Sequence, residues 1–201
     1  VSWSSDDLRL LKRQLEKKRK MLARRWSDDT IYPGFRATKT PDQPASHGQC
    51  GVTSAWLLVR LGEPWEAAAR YCVGDVFFDE ASGERAVEKY HCWVEIGDES
   101  SPQRLVIDLT CDQFRAMKGV SVLIEDLDSL MHRSIRYQAS TWRRFDELRG
   151  DSVWARLKVL DQATSQTWMT TLRALPRKAN LFAFYRGRRD QSAGSGAVGV
   201  H

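Results

Sequence analysis

The segment that most constrains the fold is the apolar run Val52–Leu61, bounded by Gly51 and Gly62. It is shorter than the roughly 18 apolar residues a membrane-spanning helix needs, so it has to be buried in a protein core. Its length and glycine boundaries predict a short buried helix that starts just after Cys50. A strand is the competing reading, because so short an apolar run lacks decisive periodicity. Upstream, residues 33 to 49 carry Pro33, Gly34, Pro41, Pro44 and Gly48, which predicts a loop.

Other segments have clearer periods. Leu8, Leu11, Leu15 and Leu22 recur at helical steps and predict one amphipathic helix over 6–25, capped by Ser5 or Asp6. Its other face is basic, with Lys12, Arg13, Lys17, Lys18, Arg19, Lys20, Arg24 and Arg25. Ala67–Tyr71 reads as part of a further short helix. Ala86–Ile96 reads as a strand with His91, Trp93 and Glu95 on one face and Cys92, Val94 and Ile96 on the other. A turn over 97–102 and a second strand, Arg104–Leu109, predict an antiparallel hairpin. Asp112–Met117 reads as a turn or helix start, Glu125 to about Leu175 as mainly helical, and Leu181–Tyr185 as a final strand. From Gly187 the chain is rich in Gly, Ser and Ala, which predicts a flexible tail. The domain reading is a basic helix over 1–25, one catalytic α+β domain over 26–186, and a tail over 187–201.

The chain has 201 residues, enough to build one core without disulfides. The four cysteines, Cys50, Cys72, Cys92 and Cys111, form no CxxC pair, so neither a zinc site nor a redox pair is expected. Free thiols point to a reducing, cytoplasmic setting. The formal net charge is +5, but it is uneven. Both ends are basic, with Arg173, Arg177, Lys178, Arg186, Arg188 and Arg189 at the second, and the body between is mildly acidic. That pattern fits an acidic partner at the ends better than a nucleic-acid module that is positive throughout. No membrane segment or signal stretch is evident, and no cofactor is expected.

The segment His47-Gly48-Gln49-Cys50-Gly51-Val52 sets a cysteine between glycines at a helix start. There the unsatisfied backbone N–H groups and the helix dipole favour a thiolate, and the same groups can hold an oxyanion. His91 in Tyr90-His91-Cys92-Trp93 supplies a base that can hold a proton near neutral pH. Asp108, on the adjacent strand, can fix the tautomer of that base. Gln49 and, in the loop, Gln43 are candidates to donate to the oxyanion. Trp93, Trp26 and His47 are candidates for the walls of the cleft.

This order of residues resembles the transglutaminase-like branch of the papain-like fold, whose catalytic order is Cys, His, Asp. It is closest to the small bacterial YunG-like proteins. The matching segments are Trp26-Ser27-Asp28-Asp29-Thr30, Gly48 to Ser54, His91-Cys92-Trp93 and Asp108-Leu109-Thr110-Cys111-Asp112-Gln113-Phe114. Cys92 stands where the pattern has tyrosine, and Ser54 where it has alanine. The resemblance implies an α+β fold in which a helix that carries Cys50 packs on an antiparallel sheet that carries His91 and Asp108. It also implies a cysteine-dependent amide hydrolase acting on an amide or peptide through a thioester. Acyl transfer with the same triad, and a noncatalytic interaction protein that keeps the fold, are the alternatives.

Overall fold

The computed structural model describes residues 4–61, 65, 67–79 and 85–171, with residue 85 and residues 165–171 as backbone only. The fold is α+β, with helices packed against a five-stranded antiparallel sheet. Helix α1 spans Ser5–Ala23, α2 is the single turn Pro33–Arg36, and α3 spans Cys50–Leu61. Strands β1 (Ala69–Asp79), β2 (Arg85–Ile96), β3 (Leu105–Asp108) and β4 (Leu123–Asp126) follow. Helix α4 (Leu127–His132), strand β5 (Ile135–Arg143) and helix α5 (Val153–Thr171) complete the described chain. Across the sheet the strand order is β4-β3-β2-β1-β5.

The apolar run is helical, and α3 packs on β1 and β2 with Val52, Ala55, Trp56 and Leu57 buried. Trp56 Nε1 donates to Thr164 Oγ1 of α5 at 3.2 Å, which ties the two helices together. A second cluster joins Trp93, Val106, Phe114, Leu130 and Tyr137 with residues of β1. In α1 the cap is Ser4, which accepts from the Asp7 N–H at 3.1 Å, so the helix starts one residue earlier than expected. Leu15 and Leu22 are buried as their period predicts, and Leu8 and Leu11 are partly buried. The basic face is exposed at Lys12, Arg13, Lys17, Lys20, Arg24 and Arg25. Arg19 departs from it: it is buried, 2.7 Å from Asp112, with its guanidinium over the Trp26 ring. No helix among the described residues is long and apolar enough to cross a membrane.

Two expectations are corrected. Ala67–Tyr71 does not enter a helix; the chain turns and begins β1 at Ala69. Helix propensity among the alanines gives way to sheet pairing, in which Tyr71 is buried opposite Val94. The stretch from Glu125 is mainly helical, through α4, a 3-10 segment over Phe145–Gly150 and α5, but it also holds the end of β4 and all of β5, where no strand was expected. The expected strand Leu181–Tyr185, the second basic cluster and the tail lie outside the described residues.

Gly74 marks an irregular level of the sheet. On one side Gly74 pairs with His91 but Val76 pairs with Glu88, so Lys89 and Tyr90 together oppose Asp75. On the other side Val73 pairs with Thr141 but Gly74 pairs with Ala139, which leaves Ser140 as the extra residue. These are bulges in both neighbours of β1. Tyr90 takes the left-handed conformation, φ 59°, and its N–H donates to Asp75 Oδ1 at 3.2 Å. A Cβ on Gly74 would lie 2.1 Å from the Gln138 carbonyl oxygen, which is backbone and cannot swing aside. Gly74→Ala should therefore destabilise the fold by about 1–3 kcal/mol or more, seen as a lower denaturant midpoint.

Candidate active site

The site assembles from the start of α3, the middle of β2 and the end of β3. Asp108 is fully buried and accepts four hydrogen bonds. The Thr110 N–H and hydroxyl donate to Oδ1 at 2.8 and 2.9 Å, and the Tyr137 hydroxyl donates to Oδ2 at 2.9 Å. His91 Nε2 lies 2.6 Å from Oδ2. Burial pushes the Asp108 carboxyl up, but the facing His91 and the Thr110 donors outweigh it, and the net direction is down.

The His91 ring is held from several sides. Phe114 meets it edge-on with centroids 4.5 Å apart, and Trp93 stacks on it at 6.2 Å. Burial opposes its charged form, yet Asp108, with help from Cys50, pushes its pKa up to about 10. Gln113 Nε2 lies 3.1 Å from Nδ1 and donates to the Thr110 carbonyl at 3.0 Å. A donor held there favours a ring whose Nδ1 carries no proton, and so works against Asp108.

Cys50 lies near enough to Cys92 and His91 for both to act on its thiol. Its thiol is lowered well below the ordinary cysteine value. The Cys92 side chain is the largest cause, burial opposes it, and His91 adds to the lowering. Cys92 in turn is raised, first by the neighbouring Cys50 thiol and then by burial. The Tyr71 hydroxyl donates to Cys92 Sγ at 3.1 Å. Among the described residues, no backbone carbonyl outside α3 accepts from the N–H of Cys50, Gly51 or Val52, and intrahelical bonding begins with Thr53 N–H to Gln49 O at 3.0 Å. Burial holds Cys72 and Cys111 far above the ordinary range, and all four cysteines are free thiols.

Cys50 opens onto a pocket of about 490 Å³ whose walls include Tyr32, Phe35, Tyr90, Cys92, Arg143 and Arg156. His91 stands behind this opening at 3% exposure. The other sequence candidates are placed as follows. Gln49 is fully buried, and its Nε2 donates to the Ser27 carbonyl at 3.2 Å. Gln43 folds back on its own loop, where Oε1 accepts from the Thr40 N–H at 2.9 Å. Trp93 is fully buried and donates to Glu95 Oε1 at 2.9 Å, so it backs the imidazole rather than lining the pocket. Trp26 donates to Thr53 Oγ1 at 3.1 Å, and His47 packs against Phe35 at 5.6 Å; neither lines the pocket.

The glycines beside Cys50 serve packing. Gly48 has φ +71°, and a Cβ there would lie 2.9 Å from Ile31. Sequence reasoning passed over Cys92, Gln113, Tyr71 and Tyr137. Gln113 sits in the quoted Asp108–Phe114 motif and could have been found there, whereas Tyr71 and Tyr137 come from segments read as helix. Among the described residues, no group of three or more His, Cys, Asp or Glu side chains could hold a metal ion. Compared with family models, curated proteins and solved structures, the chain gives no match.

Proposed function

We propose that this chain is a cysteine-dependent amide hydrolase built on a papain-like, transglutaminase-like core. The observation that carries the reading is the 2.6 Å contact of a fully buried carboxylate, Asp108, with His91, an imidazole that acts to lower the thiol of the pocket-lining Cys50. The Cys50 proton passes to His91, whose Nε2 stays on Asp108. The thiolate attacks the amide carbon, a C–S bond forms, and the carbonyl π pair moves onto oxygen. The free N–H groups at the start of α3 receive that oxyanion. The intermediate collapses, the C–N bond breaks, and the departing amine takes the proton from His91. Water then loses a proton to His91 and attacks the thioester, which releases the acid and returns the proton to Cys50.

The test is thiol reactivity. Cys50 should be the fastest of the four cysteines to react with iodoacetamide at pH 6, because an ordinary thiol with pKa about 8.5 is almost wholly protonated there. His91→Ala should slow it, and Cys50→Ala should remove the fast site while the fold persists. Mass-spectrometric rates that rank Cys50 level with Cys72, Cys92 and Cys111 would remove the nucleophile and the hydrolase with it.

A further inference from the structure

Arg156 of α5 is buried, with 8% of its surface exposed, and it lines the same pocket as Cys50. The other buried arginine among the described residues, Arg19, has a carboxylate at 2.7 Å. Arg156 has none within ion-pair distance among the described residues. The acid that shares its pocket, Asp151, is engaged by Arg143 and caps α5 by accepting from the Val153 N–H at 2.8 Å. The Arg156 Nε is buried without a hydrogen-bond partner. Its remaining contacts are weak for a cation. Nη1 reaches the Thr30 carbonyl at 3.4 Å, and the guanidinium lies 5.4 Å from the Tyr32 ring centre. A buried guanidinium that faces the Cys92 thiol but no carboxylate is costly and is strongly stabilised by an arriving anion.

The position of this charge matters for the chemistry. A Cβ on Gly51 would lie 3.6 Å from Arg156 Nη2, so the guanidinium sits against the backbone of the residue next to the nucleophile. An anion bound there is within about one residue of the carbonyl that Cys50 would attack. The planar fork of arginine suits a carboxylate, which it can grip with two parallel bonds. The aromatic side chains Tyr32, Phe35 and Tyr90 line the rest of the pocket and suit an apolar group. We propose that the substrate is a small amide bearing a carboxylate close to the scissile carbonyl, and that Arg156 recognises that carboxylate. This rests on the hydrolase reading and adds a substrate class to it.

Two alkylating agents of one size separate the proposal from that reading. Iodoacetamide and iodoacetate form the same C–S bond and expel iodide, but only the second carries a carboxylate. The readout is the iodoacetate-to-iodoacetamide rate ratio at Cys50, set against the ratio for glutathione in the same buffer. We expect the ratio at Cys50 to exceed that of glutathione by about tenfold, the scale of one charge-assisted contact of about 1.4 kcal/mol. Arg156→Gln should bring the ratio down by about that factor, since any change in the thiolate itself affects both reagents and divides out, and Arg156→Lys should recover part of it. A wild-type ratio equal to that of glutathione overturns the proposal and needs no variant to fold. A raised ratio that survives Arg156→Gln also overturns it, because the attraction then comes from His91 or Arg143. A slow iodoacetamide rate at Cys50 instead counts against the nucleophile, while the ratio still reports on Arg156.

Discussion

Asp108→Asn should slow alkylation of Cys50 at pH 6 by on the order of a hundredfold and lower thermal stability together. The rate effect follows from charge. Without the carboxylate 2.6 Å from Nε2, burial dominates at His91 and the imidazolium that supports the Cys50 thiolate is lost. A thiol returned to about 8.5 is under one per cent ionised at pH 6. The stability effect follows from the four donors that converge on this fully buried group. Asparagine leaves one oxygen to accept and turns an NH2 toward the remaining donors. Breaking a buried charged pair from one side costs roughly 3–5 kcal/mol. For a chain of this size that is on the order of 10 °C in the melting temperature. An Asn variant that labels as fast as the native chain would reduce Asp108 to a packing role.

The second large effect is a displaced alkaline limit of stability. His91 is raised to about 10, so its contribution is complete below its unfolded pKa of about 6.5 and fades as pH rises through the folded value. Cys50 is lowered, so its contribution is complete above about 8.5 and fades as pH falls through the folded value. Between about 6.5 and 8.5 the His91 contribution falls with pH while the Cys50 contribution rises, so the two slopes oppose each other. Stability from the pair therefore changes less over that range than either group alone would make it. It declines toward acid, where the unfolded chain binds the extra proton, and toward alkali, where the folded chain keeps one that the unfolded chain has lost. Cys50→Ala removes one half of the balance. The alkaline decline should then begin near pH 6.5, about two units earlier. Denaturant midpoints measured from pH 5 to 9.5 for both proteins would show the displacement, and superimposable curves would contradict the ion pair. The groups facing the pair are Asp108, Tyr137, Cys92 and Gln113, and Gln113 is the one that resists the charged ring.

What the sequence disclosed divides along physical lines. The phase of residues 91–96 was legible because a regular strand alternates strictly. The helix of Cys50 was legible because glycines, a cysteine and an apolar run coincide. The strand β5 carried a signal too. Ile135, Tyr137, Ala139 and Thr141 are more buried than Arg136, Gln138, Ser140 and Trp142, an alternation of period two hidden by the amphipathic segments on either side. Strand β1 was hidden by its alanine-rich approach. Missing both strands meant missing Tyr71 and Tyr137, which steady Cys92 and Asp108. Arg156 was beyond reach for another reason: its meaning lies in the lack of a carboxylate partner, which is a property of three-dimensional neighbours and leaves no mark on spacing.

The paired bulges beside Gly74 have a consequence for how such chains can change over time. Two residues, Lys89 and Tyr90, sit opposite Asp75 alone, directly before the His91 that pairs with Gly74 and reaches Asp108. Removing either would let the strands pair evenly and swing the imidazole onto the helix side of the sheet. The backbone of β5, lying against Gly74, leaves no slack to absorb such a shift. At this level a lost or gained residue would act as a substitution of His91 although the histidine is still written in the chain. Related chains can thus lose the His91–Asp108 contact by length as completely as by identity, and inspection of the letters at Cys50, His91 and Asp108 alone would pass them as intact.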